Sequence, residues 1–233
     1  MASIYPAPLR QAVYEANMCL VENGLVVGTW GNASGFDPAS GLVAIKPSGI
    51  AYAELRPEQL VIVDLAGRII EGDLRPSSDL PTHLELYRCF PDLGGVAHTH
   101  STAATAFAQA ARPLPCLGTT HADHFYGTVP VTRDLRPEEI ASDYEANTGR
   151  VVVETFAGLA PLRVPAVLVA HHGPFTWGKG PAAAAMNSVV LEAVAQMALH
   201  TYSLAPEAPP VGTPLLDKHF LRKHGPGAYY GQK

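Results

Sequence analysis

Two apolar segments of this chain end in histidines, and no other feature limits the possible folds as strongly. His98 and His100 end the segment GGVA, and His171 and His172 end the segment VPAVLVA. Side chains alternate between the two faces of a strand, so His98 and His100 project from the same face, about 7 Å apart along the strand. Only one histidine of the second pair can join them, and His172 is favoured because it opens the turn HGPF.

Three imidazoles with an open position are typical of a catalytic site for Zn²⁺, with Mn²⁺ or Co²⁺ as substitutes, whereas a structural zinc site is closed by a fourth protein ligand. The alternative is that these histidines are polar strand ends that face solvent. A nearby acid would favour the metal, and Asp79 in RPSSDLPTH is the candidate. Asp79 can also cap the helix predicted to begin near Pro81, and the sequence alone favours that role. The pattern leaves both alternatives open.

The remaining periodicities predict a mixture of helices and strands. Helices are predicted from Pro6 along Leu9, Val13, Ala16 and Leu20, over residues 81–90 and 101–111, and from Pro181 along Met186, Val189, Val190, Val194 and Met197. Strands are predicted at residues 25–30, 41–46, 60–65, 68–71, 95–100, 151–156 and 164–172. Without a strict βαβ rhythm, this predicts an α/β (α+β) sandwich, in which a mixed, largely antiparallel central sheet is covered by helices.

Length and composition predict one domain. The 233 residues, 47% of them hydrophobic, are enough to bury a core of single-domain size. We therefore expect a single domain over residues 1–233, in which the Pro-rich stretch 206–214 frees a distinct tail, residues 215–233.

Charge and hydropathy narrow the function classes. The net charge is −5, so the chain lacks the basic field that binds nucleic acid. Apolar segments such as residues 164–170 are far too short to span a bilayer, and the N-terminus lacks the pattern of a signal peptide. We expect a cytoplasmic protein without a membrane partner. The three cysteines form no CxxC pair, so neither a disulfide framework nor a thiolate zinc site is indicated.

Three segments rich in Ser, Gly and Asn follow predicted strands or precede a helix. The candidate residues are Gly31 and Asn32 in TWGNASG, Lys46, Ser48 and Gly49 in IKPSG, and Ser77 and Ser78 in RPSSD. Their amides and hydroxyls, with one lysine, can hold a phosphate, although each segment alone is equally an ordinary turn. Neither GxxxxGK[ST] nor GxGxxG occurs, so the phosphate is predicted to belong to a small substrate and not to a nucleotide.

In order and spacing, seven segments resemble the class II aldolase family, and within it the L-ribulose-5-phosphate 4-epimerases. These segments are TWGNASG, IKPSGI, RPSSDLPTH, GGVAHTHS, GTTHADHFYGTVP, HHGPFTWGK and LLDKHFLRKHGPGAYYGQ. The family also contains L-fuculose-phosphate aldolase and the head domain of adducin. The resemblance covers nearly the whole chain, and GTTHAD and the tail are the segments that the aldolases do not share in this form.

The resemblance implies a zinc-dependent isomerase of L-arabinose catabolism that interconverts L-ribulose 5-phosphate and D-xylulose 5-phosphate. His98, His100 and His172 match the metal ligands, and Asp79 matches an aspartate at the metal where the aldolase has a glutamate. The Ser, Gly and Asn residues named above match phosphate and substrate contacts.

Two further positions match the acid/base residues of that family. Asp123 in GTTHAD is one, and Tyr230 is the other, supplied by a neighbouring subunit of a four-fold symmetric homotetramer. The tail would thus complete the site. His124 and His171 depart from the family pattern, and each offers the metal a rival nitrogen.

The chemistry implied is cleavage and re-addition at C3–C4, because the hydrogen on C4 is not acidic. Re-addition of glycolaldehyde phosphate through its opposite face inverts C4 and requires an acid/base group on each side of the C4 oxygen. Two alternatives stay open: an aldolase that releases the aldehyde, and a non-enzymatic module like the adducin head, which would not need the histidines.

Overall fold

The computed structural model describes residues 7–231, which form a seven-stranded sheet covered by helices. The helices are α1 (Ala7–Glu22), α2 (Leu80–Cys89), α3 (Thr102–Gln109), α4 (Thr119–Ala122), α5 (Pro137–Ile140), α6 (Tyr144–Thr155), α7 (Pro181–Leu204) and α8 (Thr213–His224). The strands are β1 (Asn32–Asp37), β2 (Leu42–Ile45), β3 (Val61–Asp64), β4 (Ile69–Glu71), β5 (Gly95–His98), β6 (Ala166–Leu168) and β7 (Pro174–Gly178).

The sheet has the order β4-β3-β2-β1-β5-β7-β6, and every pair of neighbouring strands is antiparallel. The predicted fold class is therefore confirmed. Alternation of side chains gives each face its own apolar cluster. On one face Ala97 packs with Ala184 of α7, and on the other Val96 and Trp177 pack with residues of α2 and α6.

Strand register brings the residues of the candidate site together at one end of the central strands. Asn32, the first residue of β1, pairs with His98, the last residue of β5. On its other side His98 pairs with Phe175 of β7, so the HGPF turn lies beside the HxH segment. Three loops that are distant in sequence therefore meet where β1 begins and β5 ends.

Two predicted strands are wrong. Residues 25–30 form a turn in which the amide of Trp30 donates to the carbonyl of Val27, and both side chains are exposed. Residues 151–156 belong to α6 and its C-terminal end, where Val151 and Val152 continue the buried face set by Thr148 one turn earlier. Packing against α2 outweighs the strand propensity of this valine run.

The strand predicted at residues 164–172 is shorter than expected. Only Ala166–Leu168 is strand, and residues 170–173 form the turn into β7, a strand that the patterns did not predict. His171 adopts a left-handed conformation with φ +60°. His171 and His172 therefore point in different directions, as predicted from the alternation of side chains along a strand. The cause is the turn conformation at His171 and not a strand.

The stripe predicted for α7 is right at Val194, which is buried, but wrong at its two methionines. Met186 and Met197 are 50% and 52% exposed, and the buried face consists of Ala184, Ala185, Ser188, Leu191, Glu192, Val194, Ala195 and Ala198. Small side chains allow the helix axis to approach the sheet closely, which a stripe of larger residues would prevent. By length and composition α7 could cross a membrane, contrary to the expectation that every apolar segment is too short, but its buried face is that of a core helix.

The tail is not free along its whole length. Residues 213–224 form α8, which contacts α4, and Phe220 of α8 is buried against the ring of Tyr126. The Pro-rich stretch ends α7 as predicted, since α7 stops at Leu204.

Candidate active site

The three predicted metal-binding histidines lie together. Nε2 of His98 is 3.1 Å from Nε2 of His100, and the ring centroid of His172 lies 4.8 Å from that of His98 and 5.1 Å from that of His100. One nitrogen from each ring belongs to a group in which every pair is within 4.8 Å. Imidazoles at these separations can bind one ion.

Burial keeps these imidazoles neutral, which is the form that binds a metal. It lowers the pKa of His98 to about 3 and also lowers the pKa of His100 and His172. Nδ1 of His98 is 2.9 Å from the carbonyl oxygen of Pro174. A carbonyl only accepts hydrogen bonds, so Nδ1 carries the proton and the lone pair of Nε2 points to the other two rings.

The donor set fits a divalent cation. Nδ1 of His172 is buried and has no hydrogen-bond partner among residues 7–231, an arrangement that is costly unless another group satisfies the atom. The rival nitrogens lie elsewhere. His171 is exposed, with Nε2 3.3 Å from a carboxylate oxygen of Asp134, and neither His171 nor His124 belongs to the histidine group.

Asp79 lies beside this group. It precedes α2, but its side chain makes no capping hydrogen bond. Instead its carboxylate accepts a hydrogen bond of 2.6 Å from Nδ2 of Asn32. Burial acts to raise the pKa of Asp79, but its electrostatic interactions with the His98 and His83 rings and the Asn32 bond outweigh that effect and hold the pKa below its usual range. The alternative role as helix cap is therefore wrong, and the carboxylate faces the histidines.

The predicted metal and phosphate residues line one pocket of about 550 Å³. They are Gly31, Asn32, Lys46, Ser48, Gly49, Ser77, Ser78, Asp79, His98, His100 and His172. The sequence patterns missed Thr29, Trp30 and Pro47, which line it too. Trp30 is 59% exposed and its ring centroid is 6.2 Å from that of His100, so an aromatic face borders the histidines on the solvent side.

Contacts between the loops fix this pocket. Gly31 has φ +77°, and a Cβ there would lie 2.8 Å from the carbonyl oxygen of His98, so only glycine fits. The hydroxyl of Tyr52 donates to the carbonyl of Gly31 at 2.9 Å. Lys46 is 1% exposed and donates to the carbonyl of Ile50 at 2.8 Å, and its ammonium lies 4.7 Å from the centre of the Tyr52 ring. Burial lowers the pKa of Lys46.

The segment after the HxH pair is held by a helix that is distant in sequence but packs against α3. α3 begins two residues after His100, and no side chain of its own caps it. The buried carboxylate of Glu192 on α7 accepts hydrogen bonds of 2.9–3.1 Å from the amides of Ala103 and Ala104. A long-range carboxylate therefore replaces the local cap and complements the positive end of the helix.

Asp123 and Tyr230 are absent from the residues that line the pocket. The Asp123 carboxylate accepts hydrogen bonds from Nε and Nη2 of Arg222, at 2.9 and 2.6 Å, and lies 3.0 Å from Nδ1 of His219. These contacts hold the pKa of Asp123 below its usual range although burial acts to raise it. Tyr230 is 61% exposed, and its ring lies 4.9 Å from the guanidinium of Arg222. The tail thus brings the two predicted acid/base residues towards each other but not into the pocket.

The sequence patterns did not identify two further side chains that lie near the pocket. The ring centroid of Tyr144, the first residue of α6, is 6.3 Å from that of His172. His83 of α2 is completely buried, and the charge of Asp79 acts on it. His83 stands four residues after Asp79, a helical spacing that would have found it once Asp79 was assigned to the site.

Comparison with known proteins gives one family and several similar structures. The family of class II aldolase and adducin N-terminal domains matches residues 11–199. An L-fuculose 1-phosphate aldolase is 26% identical, with a TM-score of 0.79, over 94% of this chain and 97% of that one. YgbL of Klebsiella pneumoniae is 28% identical, with a TM-score of 0.72, over 91% of this chain and 97% of that one. Aldolase, epimerase and decarboxylase are candidate activities of YgbL. The L-fuculose-1-phosphate aldolase of Thermus thermophilus is 25% identical, with a TM-score of 0.66, over 88% and 100%.

Proposed function

The chain belongs to the family of class II aldolase and adducin N-terminal domains, and from this we propose that it is a metal-dependent L-ribulose-5-phosphate 4-epimerase. It would interconvert L-ribulose 5-phosphate and D-xylulose 5-phosphate in the cytoplasm, as a step of L-arabinose catabolism. The observation that carries the proposal is the group of three neutral imidazoles within a pocket lined by hydroxyl, amide and ammonium donors.

His98, His100 and His172 would hold the metal, with Asp79 beside them, and Zn²⁺ suits this donor set, with Mn²⁺ or Co²⁺ as substitutes. A divalent ion bound there supplies a Lewis acid for the negative charge that develops when the C3–C4 bond breaks. The unpartnered Nδ1 of His172 and the Nε2 lone pair of His98 support this assignment.

The loops of the pocket would hold the substrate phosphate. Ser48, Ser77 and Ser78 offer hydroxyl donors. Gly49 lies in a turn whose backbone amide can donate to a phosphate, and the Lys46 ammonium adds positive charge. If the phosphate stays bound after cleavage, the aldehyde group can rotate about a fixed point and return through its opposite face. Retention of the phosphate therefore separates an epimerase from an aldolase that releases its product.

Proton transfer at the C4 oxygen requires two groups, and we assign Asp123 and Tyr230 to it. The ring of Tyr230 is exposed and is therefore accessible to a second copy of the chain. We therefore propose that residues 1–233 form a single domain and assemble into a homotetramer, in which the tail, residues 215–233, completes the pocket of a neighbouring subunit.

The alternative function is a class II sugar-phosphate aldolase. Similarity to L-fuculose 1-phosphate aldolases favours it. Against it stand the aspartate at position 79 and the GTTHAD and tail segments, which resemble the epimerases. A non-enzymatic module like the adducin head is disfavoured, because such a module has no use for a complete histidine group in a polar pocket.

The decisive experiment compares two reactions of the purified protein after its metal content has been measured. We expect conversion of L-ribulose 5-phosphate into D-xylulose 5-phosphate and little cleavage of L-fuculose 1-phosphate. Cleavage without epimerisation would assign the aldolase instead. Slow condensation of dihydroxyacetone with glycolaldehyde phosphate would support the retro-aldol route, and its absence at high enzyme concentration would count against that route.

A further inference from the structure

A row of buried and half-buried polar side chains joins α2 to β1 beneath the pocket. Asp79, His83 and Tyr87 follow one another at four-residue intervals, so they lie along one side of α2. Asn32 and Ser34 stand two residues apart and face α2 from β1. We call these five residues the polar seam. Most contacts between a helix and a sheet are apolar, so this row requires an explanation.

The seam consists of two sets of hydrogen bonds. The outer set is the bond of 2.6 Å from Nδ2 of Asn32 to the carboxylate of Asp79. In the inner set, Oγ of Ser34 lies 2.7 Å from Nδ1 of His83 and 2.7 Å from the hydroxyl of Tyr87. Ser34 and His83 are both completely buried. Burial lowers the pKa of His83 to about 4, so the inner set is uncharged at neutral pH.

The two sets have matching spacings. Four residues of α-helix rise about 6 Å, and two residues of a strand rise about 6.6 Å. The inner contact therefore sets the axial position and rotation of α2 at which the outer contact can form. Hydrogen bonds depend on direction, whereas apolar contacts tolerate sliding and rotation. A helix shift of one residue would break both sets.

We infer that His83 is a positioning residue, which acts through Ser34 and the shared register of α2 and β1 to place the Asp79 carboxylate at the metal. This inference rests on the proposed metal site. His83 itself is separated from the pocket surface, and it acts only on where Asp79 stands.

The two ring nitrogens of His83 give the inference a specific test. Only Nδ1 has a partner, whereas Nε2 is buried without one among residues 7–231. The amide of asparagine reaches roughly the position of Nδ1, and the amide of glutamine reaches roughly that of Nε2. His83→Asn should therefore preserve the contact with Ser34, and His83→Gln should lose it, although both variants replace a buried ring.

The experiment titrates metal-free wild type and variants with Co²⁺ and records affinity and the visible absorption of the bound ion, which reports its coordination. We expect roughly 10-fold weaker binding and an altered spectrum for His83→Gln, as for the loss of other groups that orient ligands. His83→Asn should stay within about threefold of wild type. Ser34→Ala should match His83→Gln, and the double variant Ser34→Ala/His83→Gln should be no weaker than either, because both remove one interaction.

Leu86→Ala supplies the control for lost packing, since Leu86 is completely buried on α2 and is not part of the seam. It should lower the melting temperature and leave Co²⁺ binding unchanged. Wild-type affinity and spectrum in folded His83→Gln, or equal losses in the Asn and Gln variants, would overturn the positioning role alone. Wild-type protein that fails to bind Co²⁺ would overturn the metal site, and with it this inference. If His83→Gln does not fold, Ser34→Ala against Leu86→Ala decides.

Discussion

The histidine pocket and the C-terminal tail differ in what holds their polar side chains. In the pocket, strand register and short turns fix each donor, and His98 is 1% exposed. In the tail, side chains of α8 form ion pairs with Asp123, which is 8% exposed, and Tyr230 is 61% exposed. One chain therefore suffices to build the pocket. The acid/base groups that we assign to the reaction lie in the part that one chain leaves outside it.

The largest effect is expected from removing the metal. Chelation should abolish the proposed epimerase activity, and Zn²⁺, Mn²⁺ or Co²⁺ should restore it, because the bound ion would supply the Lewis acid for the charge that develops in C3–C4 cleavage. Circular dichroism should show that the metal-free protein stays folded, since the sheet holds the histidines without an ion. Full activity in fully metal-free protein would remove the pocket from the mechanism.

The next effect concerns the tail region. Asp123→Asn and Tyr230→Phe should each lower kcat by about 10²- to 10⁴-fold with metal content intact, as expected for a lost proton-transfer group. Tyr229→Phe is the matched control, because Tyr229 is equally exposed and adjacent, and it should change kcat less than twofold. A loss under threefold in Asp123→Asn or Tyr230→Phe would exclude that residue from proton transfer.

The third prediction is a partial recovery of activity. It tests whether the histidine pocket and the tail that form one site belong to different subunits. His98→Asn and Tyr230→Phe chains, each nearly inactive, are co-expressed in equal amounts. In a closed ring with head-to-tail contacts, roughly a quarter of the sites would combine an intact histidine group with an intact tyrosine. Activity should approach that fraction of wild type. Mixed oligomers, shown by pull-down of one tagged variant with the other, that stay at the parental average would contradict a shared site.

The smallest effect is on stability. Arg222→Met should lower the free energy of unfolding at pH 7, because it removes the ion pair with Asp123. The folded-state pKa of Asp123 is lowered, so this stabilisation is present above the ordinary aspartate pKa of about 4 and is lost as pH falls below it. The difference in unfolding free energy between wild type and Arg222→Met should therefore shrink towards pH 3. Lys218→Met on the same helix should show no such pH dependence, and an equal shrinkage there would refute the assignment to Asp123.

Local signals in the sequence identified side chains that the structure brings together. Glycines and serines at strand ends, and histidines at alternating positions, carry their geometry in the sequence, so all eleven metal and phosphate candidates line one pocket. Tertiary packing determines the features of the fold that the sequence patterns did not predict. The valines near Val152 are helical because α6 packs on α2, and Met186 is exposed because α7 buries a different face that consists mostly of small residues.

Contacts between distant segments were the least predictable part. Nothing near Asp123 in the sequence indicates Arg222, 99 residues away, and a free tail was expected where α8 docks. The polar seam was missed for a related reason. His83 and Tyr87 look like ordinary polar residues of a helix surface until Ser34 is known to face them.

The bonds from Glu192 to the start of α3 also affect hydrogen exchange. Amides in the first turn of a helix usually exchange quickly, because they lack intrahelical partners. The amides of Ala103 and Ala104 instead donate to a buried carboxylate of α7. They can exchange only when α7 separates from α3, which requires opening of the core. These two protons should therefore exchange as slowly as those of the central strands, and they report at single-residue resolution whether the segment that carries His98 and His100 stays closed.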